Sequence, residues 1–268
     1  SHVETLPGEE MQQDTTSYLL RFGSEPPRRV VASLLYLRYC KKSFLKFYLG
    51  FQRFHLKCFL HEALLHFGYS AKVCIIDNTN LARHLGVGQA AEIGREMKAF
   101  AARYGFEFRC HELGHSNRKA GVERMFWTTE TNFLPGRSFQ NLADLNAQAL
   151  AWSTVRLPLR PHRKTGVIPA EAFETEKPYL VEVPRDMPAP SRSFSRVMNP
   201  YGDIEVDGNF YRIPGKDRFP VTALEFPDRL GLYRDLVLLH SYELPAQDVK
   251  GKSFRPTGEI EALHHRPS

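Results

Sequence analysis

Cysteine and tryptophan are scarce, four and two in 268 residues. Cys40, Cys58, Cys74 and Cys110 each sit among apolar residues, and none forms a CxxC pair. That excludes a zinc ribbon and a disulfide framework, and it points to small core thiols in a reducing compartment. No apolar run approaches the ~18 residues of a membrane-spanning helix. The first residues lack the charged-then-apolar order of a secretory signal. A glycine-rich phosphate loop is also missing: "HLGVGQAAEIG" has scattered glycines but no strand leading straight into it. Charge is only mildly one-sided, with 36 Lys+Arg against 30 Asp+Glu and a pI near 9.1. Such a balance suits a polyanionic partner, and equally suits simple solvation. Hydrophobic residues, at 42%, are ample for a core.

What is present is a change of pattern along the chain. "MQQDTTSYLLRF" and "RRVVASLLYLRYC" are rich in β-formers and flank the turn chemistry of "GSEPPR"; "KSFLKFYLG" follows as a third strand. Apolar residues at helical spacing from Phe51 to Phe67 then predict a helix stopped by Gly68. The strand "KVCII", a polar loop, a helix over "AAEIGREMKAFAARYG", the strand "FEFRC" and two more helices broken at Pro135-Gly136 complete the first 156 residues. The order β-β-β-α-β-α-β-α-α makes an α/β mixed sheet flanked by helices, with the fourth strand parallel beside the first. Seven prolines between 157 and 195 predict an extended, basic linker with one short helix near "PAEAFETE". From 196 to 245 short strands, including a hairpin at Asp207-Gly208, predict a small all-β barrel. Residues 246–268 have no period and read as an extended or disordered tail.

The strand at 73–76 ends abruptly in Asp77-Asn78, and the first strand carries Asp14. Taken alone, Asp77 or Asn78 is an ordinary helix cap and Asp14 an ordinary turn residue. On adjacent parallel strands the two carboxylates would repel, and a hard divalent cation would relieve that repulsion. A third carboxylate is sought near the strand ends. Glu123, in "NRKAGVERMF", is preferred over Glu112 because it sits on a helix with Lys119 four residues earlier and Gly121 permitting close approach. Trp127 and Trp152, at helical spacing among apolar residues, read as core. His55, His61 and His66 lie on one helix without even i, i+4 spacing, and His111 and His115 flank a loop-like "ELG"; neither group reads as a metal site.

The ordered triad Asp14, Asp77 and Glu123 resembles the DDE core of transposases and retroviral integrases. "GEEMQQDT", "IIDNTN", "NRKAGVERMF", "TNFLPGRSFQNLADLNAQALAW" and "NFYRIP" together resemble the IstA-type transposases of bacterial insertion sequences. The family's usual Lys-Gly before the glutamate is here Lys119-Ala120-Gly121, a departure that bears on Lys119 more than on Glu123. The resemblance implies an RNase H-like catalytic core over 1–156, a Pro-rich linker over 157–195, a small β-barrel over 196–245 and a tail over 246–268. It implies Mg²⁺, with Mn²⁺ as substitute, held by Asp14 between two ions and by Asp77 and Glu123 on either side. Water would free a 3′-OH at a transposon end, and that hydroxyl would attack target DNA. The implied partners are double-stranded DNA, further copies of the chain to at least a dimer, and an AAA+ helper ATPase, in a bacterial cytoplasm. The family's end-binding helix-turn-helix has no counterpart here, so the chain reads as core plus barrel of a longer protein. Two other readings stay open: a DNA-binding scaffold without catalysis, and an RNase H-like nuclease.

DNA contacts are expected from Asn78, Arg118, Lys119 and Arg124 around the triad, and from Arg156, Arg160, His162, Arg163 and Lys164 after the core. Arg192, Arg196, Arg212 and Lys216 would give the barrel a basic face. Such contacts position DNA without reading its sequence. Affinity for a duplex is therefore expected to fall steeply as salt rises, roughly 10³-fold or more between 50 and 200 mM for six phosphate contacts. Fluorescence anisotropy of a labelled duplex across a salt series measures this.

Overall fold

The computed structural model describes residues 5–76, 83–85, 92–110, 116–162, 165–215, 218–257 and 260–262. Two compact units divide the chain, residues 1–187 and 188–268.

Among the described residues, the first unit is built on a five-stranded sheet. Its strands are β1 (Glu10–Leu20), β2 (Arg28–Leu37), β3 (Ser43–Tyr48), β4 (Val73–Ile76) and β5 (Glu107–Cys110), in the order β3-β2-β1-β4-β5. β1 runs antiparallel to β2, from Met11 opposite Leu37 to Leu20 opposite Arg28. On its other side it runs parallel to β4, with Gln13 opposite Ile76. β5 continues the parallel half. Three antiparallel strands joined to two parallel ones, with helices on both faces, make this the RNase H-like fold.

Side-chain alternation along the strands makes two cores. Met11, Leu35, Leu37, Cys74 and Ile76 pack on α1 (Arg53–Phe67) and α2 (Arg95–Arg103). Tyr18, Ala32, Leu34 and Tyr36 pack on α3 (Ser116–Thr128) and α4 (Leu142–Leu150). α1 ends as its sequence predicts, with Gly68 at φ 73° donating to the Leu64 carbonyl. α2 begins later than predicted: Glu92–Ile93 is extended and pairs with Arg83–Leu85, and Gly94 interrupts before the helix starts. α4 covers the sheet edge by a side chain: Asn146 accepts from Phe47 N–H at 2.7 Å and donates to its carbonyl at 3.0 Å. Both α3 and α4 pass into a wider π-turn, at Thr129–Phe133 and Ala151–Arg156.

The linker expected over 157–195 is corrected here. Up to residue 187 this stretch belongs to the first unit. The short helix near "PAEAFETE" is present as α5 (Pro169–Glu176). Its Phe173 joins the core, with Lys42 Nζ 3.7 Å from the ring centroid, and Val181–Glu182 pairs with Tyr69–Ser70. Glu176, fully buried, accepts from Gly8 N–H at 3.0 Å and from Cys40 N–H at 3.1 Å. Gly8 lies at φ 74°, where a Cβ would stand 2.1 Å from the Tyr179 carbonyl oxygen. Proline density marked rigid, docked turns in this stretch.

The second unit holds β6 (Arg192–Val197), β7 (Asp203–Val206), β8 (Asn209–Arg212), β9 (Pro220–Glu225), β10 (Arg229–Arg234), β11 (Val237–Glu243), β12 (Lys252–Phe254) and β13 (Ile260–Ala262). They form two four-stranded sheets, β6-β9-β10-β11 and β7-β8-β12-β13. Ile204, Tyr211, Val221, Leu230 and Leu232 build its core. The β7–β8 turn uses Asp207 and Gly208 at φ 49° and 73°, the positive values the sequence signalled. β6 starts inside the expected linker, and β12 and β13 lie in the expected tail; both stretches gain order by pairing with strands distant in sequence.

Removing the Glu176 carboxylate orphans two buried N–H groups. Glu176→Ala is expected to cost about 2–4 kcal/mol and Glu176→Gln clearly less, measured by urea unfolding of the first unit's signal.

Candidate functional site

β1 is the strand that organises the site. Its even-numbered residues face α3: Gly121 lies over Gln12 and Tyr36, and the Tyr18 hydroxyl donates to the Phe126 carbonyl at 3.4 Å. Asp14 lies between Gln12 and Tyr18 on that face, half-buried, with Oδ1 accepting from Thr15 N–H at 2.8 Å. Close by on the same face, Gln12 donates to Glu10 at 2.7 Å, and Glu10 pairs with Arg38 at 2.8 Å, both largely shielded from water. Gly121 fits because it has no side chain: a Cβ there would stand 3.0 Å from Tyr36 Cε1 and 3.6 Å from Gln12 Oε1. The helix therefore rests on the sheet at this point.

Two residues on from Gly121, Glu123 is exposed and lines a groove of about 900 Å³. Its rim also carries Lys41, Arg124, Trp127, Arg160 and His162, and Asp14 is not among its described lining residues. Lys41 has φ 67° in the turn between β2 and β3. Burial first, and then the Arg38 guanidinium, depress its ammonium pKa. Burial, reinforced by the Cys40 thiol, drives the Tyr36 phenol well above its ordinary range, so it stays protonated. Among the described residues neither Arg124 nor Arg160 makes an ion pair, whereas His162 Nδ1 lies 3.1 Å from Thr165 Oγ1.

The predicted site residues therefore divide. Asp14 is set on the central strand under α3, and Glu123 stands on α3 itself. Asp77, Asn78, Arg163 and Lys164 lie outside the described residues, as do the side chains of Arg118 and Lys119. Gln13 and Ile76 are register partners on parallel strands, and Asp14 and Asp77 are the residues that follow them in the sequence. As donors for a metal, the candidates are carboxylate oxygens, the chemistry Mg²⁺ and Mn²⁺ prefer. Among the described residues no three His, Cys, Asp or Glu side chains gather in one place; Asp77 is not one of them.

The fold has loose likenesses among solved structures. A simian T-cell lymphotropic virus intasome in complex with the PP2A regulatory subunit B56 gamma matches at 14% identity and TM-score 0.48, covering 97% of this chain and 81% of that one. The catalytic core domain of BIV integrase matches at 12% and 0.44, covering 63% and 96%. The HTLV-2 integrase catalytic core domain in complex with magnesium matches at 14% and 0.41, covering 63% and 97%. No family model and no curated protein matches the chain in sequence. At these scores the fold assignment rests on the strand order itself.

Several expectations need revision. Trp152 is core, 4% exposed, but Trp127 is 56% exposed on the groove. The signal was available: Trp127 is one helical turn from Glu123, so the two share a face. Lys41 carried no such signal, because only the β2–β3 turn brings it there. Arg156 is exposed. Arg192 and Arg212 are engaged within their own unit, by Glu225 at 2.8 Å and by Asp203 at 3.0 Å, which weakens the expected basic face. Lys216 lies outside the described residues. Cys40, Cys58 and Cys74 are buried and Cys110 is half-buried, the core positions the sequence suggested, and none of the four is in a disulfide. Burial raises the Cys40 and Cys74 thiols far above reactivity. No described helix is long and apolar enough to cross a membrane.

The close seat of α3 gives a direct test. Gly121→Val drives a branched side chain into the buried Tyr36 ring and is expected to cost about 1–3 kcal/mol in denaturant unfolding.

Proposed function

We propose that this chain is the core of a DDE-type DNA transposase, a polynucleotidyl transferase that joins 3′-OH ends of a mobile element to target DNA. One observation carries the reading. Asp14 occupies the central strand, beside the strand that leads into Asp77, on the face covered by the helix that bears Glu123. This is the order and topology in which an RNase H-like sheet gathers three carboxylates. Asp14, Asp77 and Glu123 would hold divalent metal, Mg²⁺ or Mn²⁺. Bound there, the metal supplies activation of the attacking hydroxyl and stabilisation of charge on the leaving oxygen.

The chain's own residues do the rest. The Thr15 N–H fixes one Asp14 oxygen, so the carboxylate is oriented before any ligand arrives. Arg124 and Arg160 hold DNA phosphates by charge-assisted hydrogen bonds. The first unit is the catalytic core, and the second is a β domain that grips DNA. Two ends must be joined together, which calls for at least a dimer on DNA; an AAA+ ATPase would serve target choice, in a bacterial cytoplasm.

A branched duplex that mimics the joined product tests the chemistry in reverse and needs no knowledge of the end sequence. Wild-type protein with Mn²⁺ is expected to resolve the branch. Asp14→Asn and Glu123→Gln are each expected to lose 10²–10³-fold or more in rate while thermal unfolding stays near wild type. Resolution that survives either change overturns the assignment. Duplex binding without any resolution by the wild-type protein indicates a scaffold. Cleavage of RNA–DNA hybrid alone indicates a nuclease.

A further inference from the structure

A tryptophan 56% exposed leaves a large apolar ring in water, a cost ordinarily avoided by burial. Trp127 does so in a concave place. It lines the groove of about 900 Å³ together with Glu123, Lys41, Arg124, Arg160 and His162. That volume lies within the range of ligand clefts, roughly 300–1,000 Å³. Glu123 is the sole acidic residue among the described lining, against Lys41, Arg124 and Arg160, and the two arginines have no ion-pair partner among the described residues. The charge suits a polyanion, and the exposed indole suits a flat ring.

The spacing ties this groove to the reaction. Glu123 and Trp127 stand four residues apart on α3, so their Cβ atoms are roughly 6 Å apart on one face. A base stacked on the indole would lie one helical turn from the carboxylate proposed to hold metal. The helix is widened just beyond, at Thr129–Phe133, where Thr128, Thr129 and Thr131 hydroxyls turn back to the carbonyls four residues earlier. Thr128 and Thr131 face the same groove.

We propose that this groove receives an unpaired nucleotide of the substrate DNA, its base stacked on Trp127 and its phosphate met by Arg124 and Arg160, so that the enzyme acts on a frayed strand. Stacking on an aromatic platform accepts any base, because every base has a π face. The groove therefore selects for unpairing and not for sequence. The inference rests on the transferase reading and names the state of DNA that this site takes.

The test is a binding measurement on Asp14→Asn protein in EDTA, so that no reaction intervenes. A labelled duplex with a short single-stranded overhang is compared with the blunt duplex by fluorescence anisotropy. The overhang is expected to bind roughly tenfold tighter. Trp127→Ala is expected to erase that preference while leaving blunt-duplex affinity unchanged, and Trp127→Phe to keep most of it. The chain holds two tryptophans and Trp152 is buried, so acrylamide-accessible fluorescence reports Trp127. Overhang DNA should quench and protect that signal; blunt DNA should not. An equal preference in wild type and Trp127→Ala, or no preference in wild type, overturns the proposal. So does loss of self-association on Trp127→Ala with overhang binding intact, which would make the groove a protein interface. The two readings fail separately. Branch resolution with a Trp127-independent overhang preference sinks the stacking site alone; a Trp127-dependent preference without resolution sinks the transferase alone.

Discussion

The pairing of β1 between β2 and β4 is the constraint on which the rest of this structure depends. β1 alternates Met11 into the core under α1 and Tyr18 into the core under α3, so its register fixes both cores at once. A slip of one residue would send every side chain to the opposite face. The same register sets Asp14 on the α3 side and sets Gln13 against Ile76, the last described residue of β4. Packing and site geometry are thus one commitment: the sheet cannot keep its cores and move its carboxylate.

α3 carries a double duty. Its inner face, through Gly121, Val122 and Phe126, must rest on β1 and β2, while its outer face presents Glu123, Arg124 and Trp127 to the groove. Close seating at Gly121 brings the helix low over the sheet, against Tyr36 and Gln12. The price of that proximity is a helix that tolerates little bulk at one point. Beyond Thr128 it widens into a π-turn, a feature that recurs at functional sites in helices.

The stretch after α4 is held by a different device. Glu176 turns a buried carboxylate toward two backbone N–H groups, from Gly8 and Cys40, and so ties α5 to the entrance of β1 and the turn after β2. A buried polar group of this kind is tolerable only when its hydrogen bonds are made. Lys42 over the Phe173 ring and the pairing of Val181–Glu182 with Tyr69–Ser70 complete the attachment. The arm that carries Arg160 and His162 to the groove starts from the same docked stretch, so what keeps it folded also keeps those two side chains in place.

Local pattern in the sequence determined the kinds of element and their order: alternation gave β1 to β3, helical spacing and Gly68 gave α1 and its end, and Asp207-Gly208 gave the β7–β8 turn. These were legible because the periods of strand and helix, and the backbone freedom of glycine, act over a few residues. Asp14 and Glu123 could be nominated for the same reason, through strand order and one helical turn. Tertiary structure alone decided that Lys41 reaches the groove, that residues 157–187 dock where proline density suggested a linker, and that β12 and β13 pair where no period was visible. Each of those depends on a partner distant along the chain, such as Glu176 reaching Gly8 or Lys252–Phe254 finding Asn209–Arg212, and a contact between distant segments leaves no local trace in either one.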